Sequence, residues 1–506
     1  MPKMSTLVWA LGVAFIVSGC VTREQPRGLA LALPGQWQNG PTATPRRPAP
    51  DLSAWWKAFR DPAIDRLVAD ALARNPGVEE AMERVNAARA LARAQGSQRF
   101  PGLDASAQAR IDHRLSGAAD GLNAGGESLG QGPLRTVGLF QSGFDARWEV
   151  DLFGRVRSGI AGAERAAEVA QEERDDVKVT LVAEIVRTYL ELRAAERRRA
   201  VIADEIAARR GLLDLVRTQQ TAGSSGDFDV QRARATFEAA RARLPAAELA
   251  ERIALQRLAT LAGSARADAR LHGANRGVPV IAAPRAPIPA DLLRWRPDIR
   301  RAERLVAQRG FEADIAYADL FPRLTLVGSL DVRGNLIGQP VMGTPVTISG
   351  GPGVTIPLLD WGLRRQVLSA REAQWREAIA AYRGSVLRGV EDVEIALATI
   401  RTSAMRLERQ RTAVAAAQRA STTADRLYRG GLTGLTERLQ AETDLRQAEL
   451  DLADATESAA IAPVSLFKAI GAPNTAPSPP VDVLAEPPAP VSWAAAPAVT
   501  AAEQQN

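Results

Sequence analysis

The stretch Trp148-Glu149-Val150-Asp151-Leu152-Phe153-Gly154-Arg155 decides how this chain is read. Before Gly154 the pattern has period two. Phe140, Phe144, Ala146, Trp148 and Val150 fall on one parity, and Gln141, Asp145, Arg147, Glu149 and Asp151 on the other. That is a strand with one apolar and one polar face. After Gly154 the period changes. From Arg155 to Ala222 there is no proline, and Ala, Arg, Glu and Leu dominate, which predicts one very long helix. The same junction recurs as Val354-Thr355-Ile356-Pro357-Leu358-Leu359-Asp360-Trp361-Gly362-Leu363-Arg364, with Gly362 lying 208 positions after Gly154.

The duplication extends both ways. Downstream the shift of 208 carries Gly223 to Gly431, Gly226 to Gly434 and Ala233 to Ala441. Upstream the shift is 221: Asn75-Pro76 maps to Arg296-Pro297, and Phe100-Pro101-Gly102-Leu103 to Phe321-Pro322-Arg323-Leu324. The excess falls between Pro101 and Gly154, where a loop tolerates insertion. The chain therefore reads as two copies of helix, strand, loop, strand, long helix, helix. The expected organisation is a first repeat over 51–263, a Pro-rich linker over 264–290 and a second repeat over 291–471. Hairpins are expected at about 102–153 and 323–360.

Composition narrows the function. The 64 basic residues exceed the 58 acidic ones, and all but Lys3, Lys57, Lys178 and Lys468 are arginine. The arginines are interleaved with Asp and Glu along helices, as in Arg197-Arg198-Arg199 beside Glu196, Asp204 and Glu205, so they read as a solvated face and not as a nucleic-acid footprint. One cysteine allows no intrachain disulfide, and His113 and His272 stand far apart. No HExxH, Walker-type glycine loop or GxSxG occurs, so neither enzyme nor cofactor is expected.

The N-terminus has the order of a secretory signal over 1–19: Lys3, then an apolar core from Leu7 to Val17 too short to span a bilayer. It ends Val17-Ser18-Gly19-Cys20, which resembles the bacterial lipobox. The resemblance implies cleavage before Cys20, acylation of its thiol and amine, and, with Val21 following, an outer-membrane destination. Several acyl chains anchor firmly, at about 0.8 kcal/mol per buried CH₂. Residues 20–50, with six prolines from Pro26 to Pro50, read as an extended tether, and 472–506 as a disordered Pro- and Ala-rich tail.

Two further patterns point to a membrane and to a rod. Leu324, Leu326, Gly328, Leu330 and Val332 alternate with Thr325, Val327, Ser329, Asp331 and Arg333, matching a membrane-barrel strand, although a soluble sandwich edge alternates too. Val386, Val390, Val393, Leu397 and Ile400 are spaced 4-3-4-3, and Val182, Ile185, Tyr189 and Leu192 include their counterparts. That is a coiled-coil seam. A helix of about 67 residues is roughly 100 Å long and must lie against similar rods.

Trp55-Trp56 with Phe59-x-Asp61-Pro62, then Ile288-Pro289-Ala290-Asp291-Leu292-Leu293-x-x-Arg296-Pro297-Asp298-Ile299, Phe321-Pro322 and the two glycine junctions resemble the TolC-like outer-membrane efflux channels, in particular the NodT-type lipoproteins. The resemblance spans about 50–470. It implies a mainly helical fold with a membrane β-barrel: a homotrimer whose twelve strands close one barrel above a periplasmic helical tunnel. It also implies a passive efflux conduit joined through a periplasmic adaptor to an inner-membrane, proton-driven pump of the RND type. The residues ask independently for partners of the same kind, because four strands cannot close a barrel and open edges are not tolerated in lipid. A competing reading is a periplasmic coiled-coil adaptor or scaffold lipoprotein, against which the duplicated hairpins argue.

Candidate site residues follow. Gly154, Gly362, Pro101 and Pro322 mark the strand–helix junctions, and Cys20 the lipid site. The glycine turns at the far ends of the long helices are the expected aperture, with Asp227, Asp229, Thr436, Glu437, Gln440 and Glu442 as candidates. By resemblance an aspartate belongs near the closed end of the tunnel, where this chain has Gln440. Acids at these places also suit ordinary helix starts.

Overall fold

The computed structural model describes residues 33–40, 54–113, 136–271, 277–281, 295–337 and 346–471. Cys20, the hairpin tip around 116–133, His272, Ile288–Leu293 and the tail 472–506 lie outside them.

The chain opens with a short 3-10 turn, Trp55–Phe59, and then α1 (Pro62–Arg74) and α2 (Pro76–Gly96). Both helices start on a proline preceded by a capping side chain. Asp61 accepts from the amide of Ala63 at 2.9 Å, and Asn75 from that of Gly77 at 2.8 Å. Strands β1 (Gly102–His113) and β2 (Thr136–Val150) follow, then α3 (Arg155–Thr221) and α4 (Asp227–Leu261). The second half repeats the plan with α5 (Pro297–Ala318), β3 (Arg323–Ile337), β4 (Val346–Thr355), α6 (Leu363–Arg429) and α7 (Leu435–Ile470). Helices α3 and α6 are each 67 residues long, as the sequence predicts.

The strands form one antiparallel sheet in the order β1-β2-β3-β4, so the halves join at β2 and β3. Val150 faces Leu324, Trp148 faces Leu326 and Phe144 faces Leu330. This register puts Leu103, Ile111, Phe144, Leu326, Ile348 and Val354 on one face, all of them exposed. The other face carries Gln108, Gln141, Asp145, Thr325, Ser329 and Ser349. Such a sheet has a lipid-compatible outside and a wet inside. No described helix is long and apolar enough to cross a membrane.

The principal core sits where α1, α3, α6 and α7 meet, around Ile64, Ile185, Tyr189, Val393 and Phe467. The paired tryptophans are core anchors. Trp55 stacks on Phe467 at 4.6 Å and so ties the first 3-10 turn to the last helix. Of the predicted seam, Val386, Val393 and Leu397 are buried, and Val390 and Ile400 pack against the same core. Pro245 lies inside α4, and α7 runs through Pro463, which the sequence reading did not single out.

One expectation needs correction. The arginines are not only a solvated face: Arg193, Arg209, Arg300 and Arg304 are buried. Arg300 meets Glu172 at 2.7 Å and Arg304 meets Glu168 at 3.1 Å, between α5 and α3. Even the triplet around Arg198 is engaged, with Arg198 on Asp454 at 2.7 Å and Arg199 on Glu251 at 3.0 Å. Helices packed side by side leave little room for water, and the arginine fork lets an ion pair survive there.

Candidate functional site

Each half turns from strand to helix at a glycine. Gly154 and Gly362 have φ of 83° and 84°, the left-handed region that only glycine enters freely. An aspartate steadies each turn. Asp151 accepts from the amide of Arg157 at 2.8 Å; Asp360 accepts from the amides of Gly362 and Arg364 at 3.0 and 3.2 Å. The backbone amide of Arg364, aided by that of Gly362 and by the Arg364 guanidinium, holds the Asp360 carboxyl below its ordinary range. The residues before Pro101 and Pro322 end the preceding helices, and Phe321 stacks on Phe153 at 4.8 Å.

The opposite ends of the long helices close in matched turns. Gly223 and Gly431 have φ of 75° and 72°. The amide of Ser224 reaches the carbonyl of Gln219 at 2.9 Å, and that of Leu432 reaches Leu427 at 2.9 Å, which are Schellman closures. Leu212, Leu213 and Val216 of α3 pack with Val230 of α4 and with Leu435 and Leu439 of α7. The two hairpin tips of one chain are thus a single small core.

The candidate aperture residues divide within it. Asp227 is exposed and accepts from Gln231 at 3.4 Å; Asp229 is half-buried and accepts from the Ser225 hydroxyl at 3.1 Å. Thr436 accepts from the Arg232 guanidinium at 2.7 Å, a bond between the two hairpins. Glu437 is exposed, but its carboxylate curls back to 2.8 Å from where a Cβ on Gly434 would stand, as in a helix-start contact. Gln440 is exposed and donates to Asp444 at 2.8 Å; Glu442 is half-buried beside Arg446 at 3.6 Å.

Three features here escaped the sequence reading. The Tyr428 hydroxyl donates to Gln219 at 2.7 Å and joins the ends of α6 and α3. The Arg438 guanidinium lies 5.2 Å over the Tyr428 ring and pairs with Asp425 at 2.8 Å. Asp444 stands one helical turn beyond Gln440, where an acid was sought. Tyr428, an aromatic ring in the last turn of a 67-residue helix just before its glycine turn, was the available signal.

A four-stranded sheet with a lipid-compatible face, set on two helices roughly 100 Å long that each meet a returning helix of about half that length at tips forming one core, defines an outer-membrane channel of the TolC-like class. The chain belongs to the outer membrane efflux protein family, whose sequence profile matches residues 67–264 and 288–472. It is similar to Nodulation protein T of Rhizobium leguminosarum bv. trifolii, 27% identical over 88% of this chain and 92% of that one. It is also 30% identical to the pyoverdine export outer membrane protein OpmQ of Pseudomonas putida, over 91% of this chain and 96% of that one. Among solved structures it resembles the outer-membrane channel OprN, with a TM-score of 0.73 and 30% identity over 85% of this chain and 98% of that one. The chain is therefore the outer-membrane channel component of an efflux system, and the adaptor reading falls.

Proposed function

We infer that three copies of this chain close into one passive conduit that takes drugs or other toxic compounds from periplasm to exterior. The observation that carries this reading is the sheet: β1 and β4 are its edges, and their backbone groups need partners wherever one face meets lipid. Cyclic closure by identical copies supplies those partners without leaving an edge. The number three rests on the family resemblance.

The same reading assigns the remaining parts. Cys20 is the acylated first residue of the mature chain, and the hairpin tips around Gly223–Asp229 and Gly431–Glu442 form the gate. A periplasmic adaptor docks there and an inner-membrane proton-driven pump supplies the energy; adaptor docking opens the gate by binding the open state more tightly. The similar OpmQ is a pyoverdine export protein, which makes pyoverdine one cargo to try. Deleting the gene should raise cellular accumulation of a fluorescent efflux substrate, and the full chain should restore the low level. Cys20→Ala should lose lipid labelling yet keep the barrel. Unchanged accumulation on deletion, in cells lacking other channels of this family, would contradict the conduit.

A further inference from the structure

Where the strands hand over to the helices, the sheet holds a niche of about 670 Å³. It is lined by Arg147 and Glu149 of β2, by Arg323 and Thr325 of β3, and by the first turns of α3 and α6. Glu149 faces Thr325 across the strands, and Arg147 shares its parity with Gln141 and Asp145. The niche therefore opens on the polar, wet side of the sheet and not on the apolar one. A space of this size takes a drug-sized molecule.

Its charge is one-sided. Four guanidinium groups line it, those of Arg147, Arg155, Arg323 and Arg364, against two carboxylates, Glu149 and Asp319. Both carboxylates are engaged. Glu149 accepts from Nε and Nη2 of Arg155 at 2.7 and 2.5 Å, and Asp319 accepts from Arg323 at 2.6 Å. Asp360 accepts from Arg364 at 3.1 Å. Arg147 differs. It is exposed, its cross-strand neighbours are Gly102 and Val327, and among the described residues no carboxylate stands within ion-pair distance of it. Asp104 and Asp145 face each other one step further along the sheet. A guanidinium has more N–H donors than one carboxylate uses, so the paired arginines keep open donors and Arg147 keeps all of its own. Phe100, Phe321, Val156 and Pro357 border the same niche with apolar surface.

The duplication does not impose these charges. The shift of 208 carries Arg147, Glu149 and Arg155 to Thr355, Pro357 and Leu363. The second turn has the same glycine conformation, with φ of 84° against 83°, and does without them. The turn alone does not account for Arg147.

Resting on the conduit reading above, we propose that this niche binds small organic anions, a carboxylate on an apolar body, as they pass from the helical tunnel into the barrel. Arg147 pairs with the carboxylate, since a guanidinium fork matches its two oxygens. The open donors of Arg155 and Arg323 add to the attraction, and the apolar border takes the body. Repeated in each copy around the axis, the niches form a positive band at the base of the barrel, which concentrates anionic cargo there.

The test uses the full chain in lipid nanodiscs and cinnamate as the probe, read by ligand line broadening in NMR against empty nanodiscs. Binding should saturate, weaken as salt is raised, and exceed that of the neutral cinnamamide. Arg147→Gln should weaken it about tenfold, and Arg147→Lys less. Arg333→Gln removes the same charge from the same face but outside the niche, and should leave binding unchanged. No saturation, equal binding of the amide, or equal losses from Arg147→Gln and Arg333→Gln overturns the niche. Unfolding temperatures equal to that of the unaltered chain separate lost binding from a lost fold. In planar bilayers, cinnamate added from the outer side should lower single-channel conductance, and less so with Arg147→Gln. A chain that binds cinnamate with its conductance unchanged overturns the niche's place on the path, whereas a chain that forms no conducting pore overturns the conduit reading itself.

Discussion

Tyr428→Phe tests the proposed gate with little else disturbed. The ring stays, so its packing against the tip core and its contact with Arg438 remain. The change removes one hydroxyl, which donates to Gln219 at 2.7 Å between the ends of α6 and α3. Such a bond contributes about 1 kcal/mol net, because Gln219 sits near enough to water to recover a partner. If widening of the tips separates these helices, and three copies open together, the closed state loses about 3 kcal/mol. That corresponds to roughly a hundredfold rise in the ratio of open to closed channel, at about tenfold per 1.4 kcal/mol. Single-channel recording in planar bilayers reads the ratio as open probability. Gln219→Ala should give a similar rise, and the double variant no more than either, since both remove one bond. An unchanged open probability for a folded Tyr428→Phe channel would refute the assignment of this bond to closure.

Arg300→Met leaves Glu172 buried without its partner and should destabilise the helical region by about 3–5 kcal/mol in thermal unfolding; adding Glu172→Leu should recover most of the loss. Asp176→Asn should raise the melting temperature near neutrality, because burial, with the Asp298 carboxylate nearby, raises the Asp176 pKa. A raised carboxylate pKa makes the charged form costly in the folded state. The penalty is therefore full above the folded pKa and vanishes as pH falls below the ordinary Asp value of about 3.9, so the gain from Asn should vanish with it; a gain independent of pH would contradict the ionisation argument. Asp229→Asn with Glu437→Gln should weaken cation preference, read as reversal potential across a salt gradient. An unchanged potential in a folded channel would leave both acids as helix-start residues only.

Much of this architecture was legible because it rests on local signals repeated twice. The change of period at Gly154 and Gly362, the proline starts at Pro76 and Pro297, and the glycine stops at Gly223 and Gly431 each have a backbone reason. Partners across helices were not legible. Tyr428 and Gln219 are 209 positions apart on different hairpins. Arg300 looks in sequence like Arg301, yet one is buried against Glu172 while the other stays half in water, because helix rotation decides and both lie in an evenly polar run. The acids proposed at the aperture are visible as residue types. Which of them faces the axis depends on neighbours that a single chain does not contain.

Electron cryo-microscopy of the full chain in a lipid nanodisc should show three copies about one axis, with β1 of each beside β4 of the next in a closed barrel of twelve strands, continued by a helical tunnel. A folded particle with β1 and β4 left as open edges, or with any other number of copies around the axis, would contradict that arrangement.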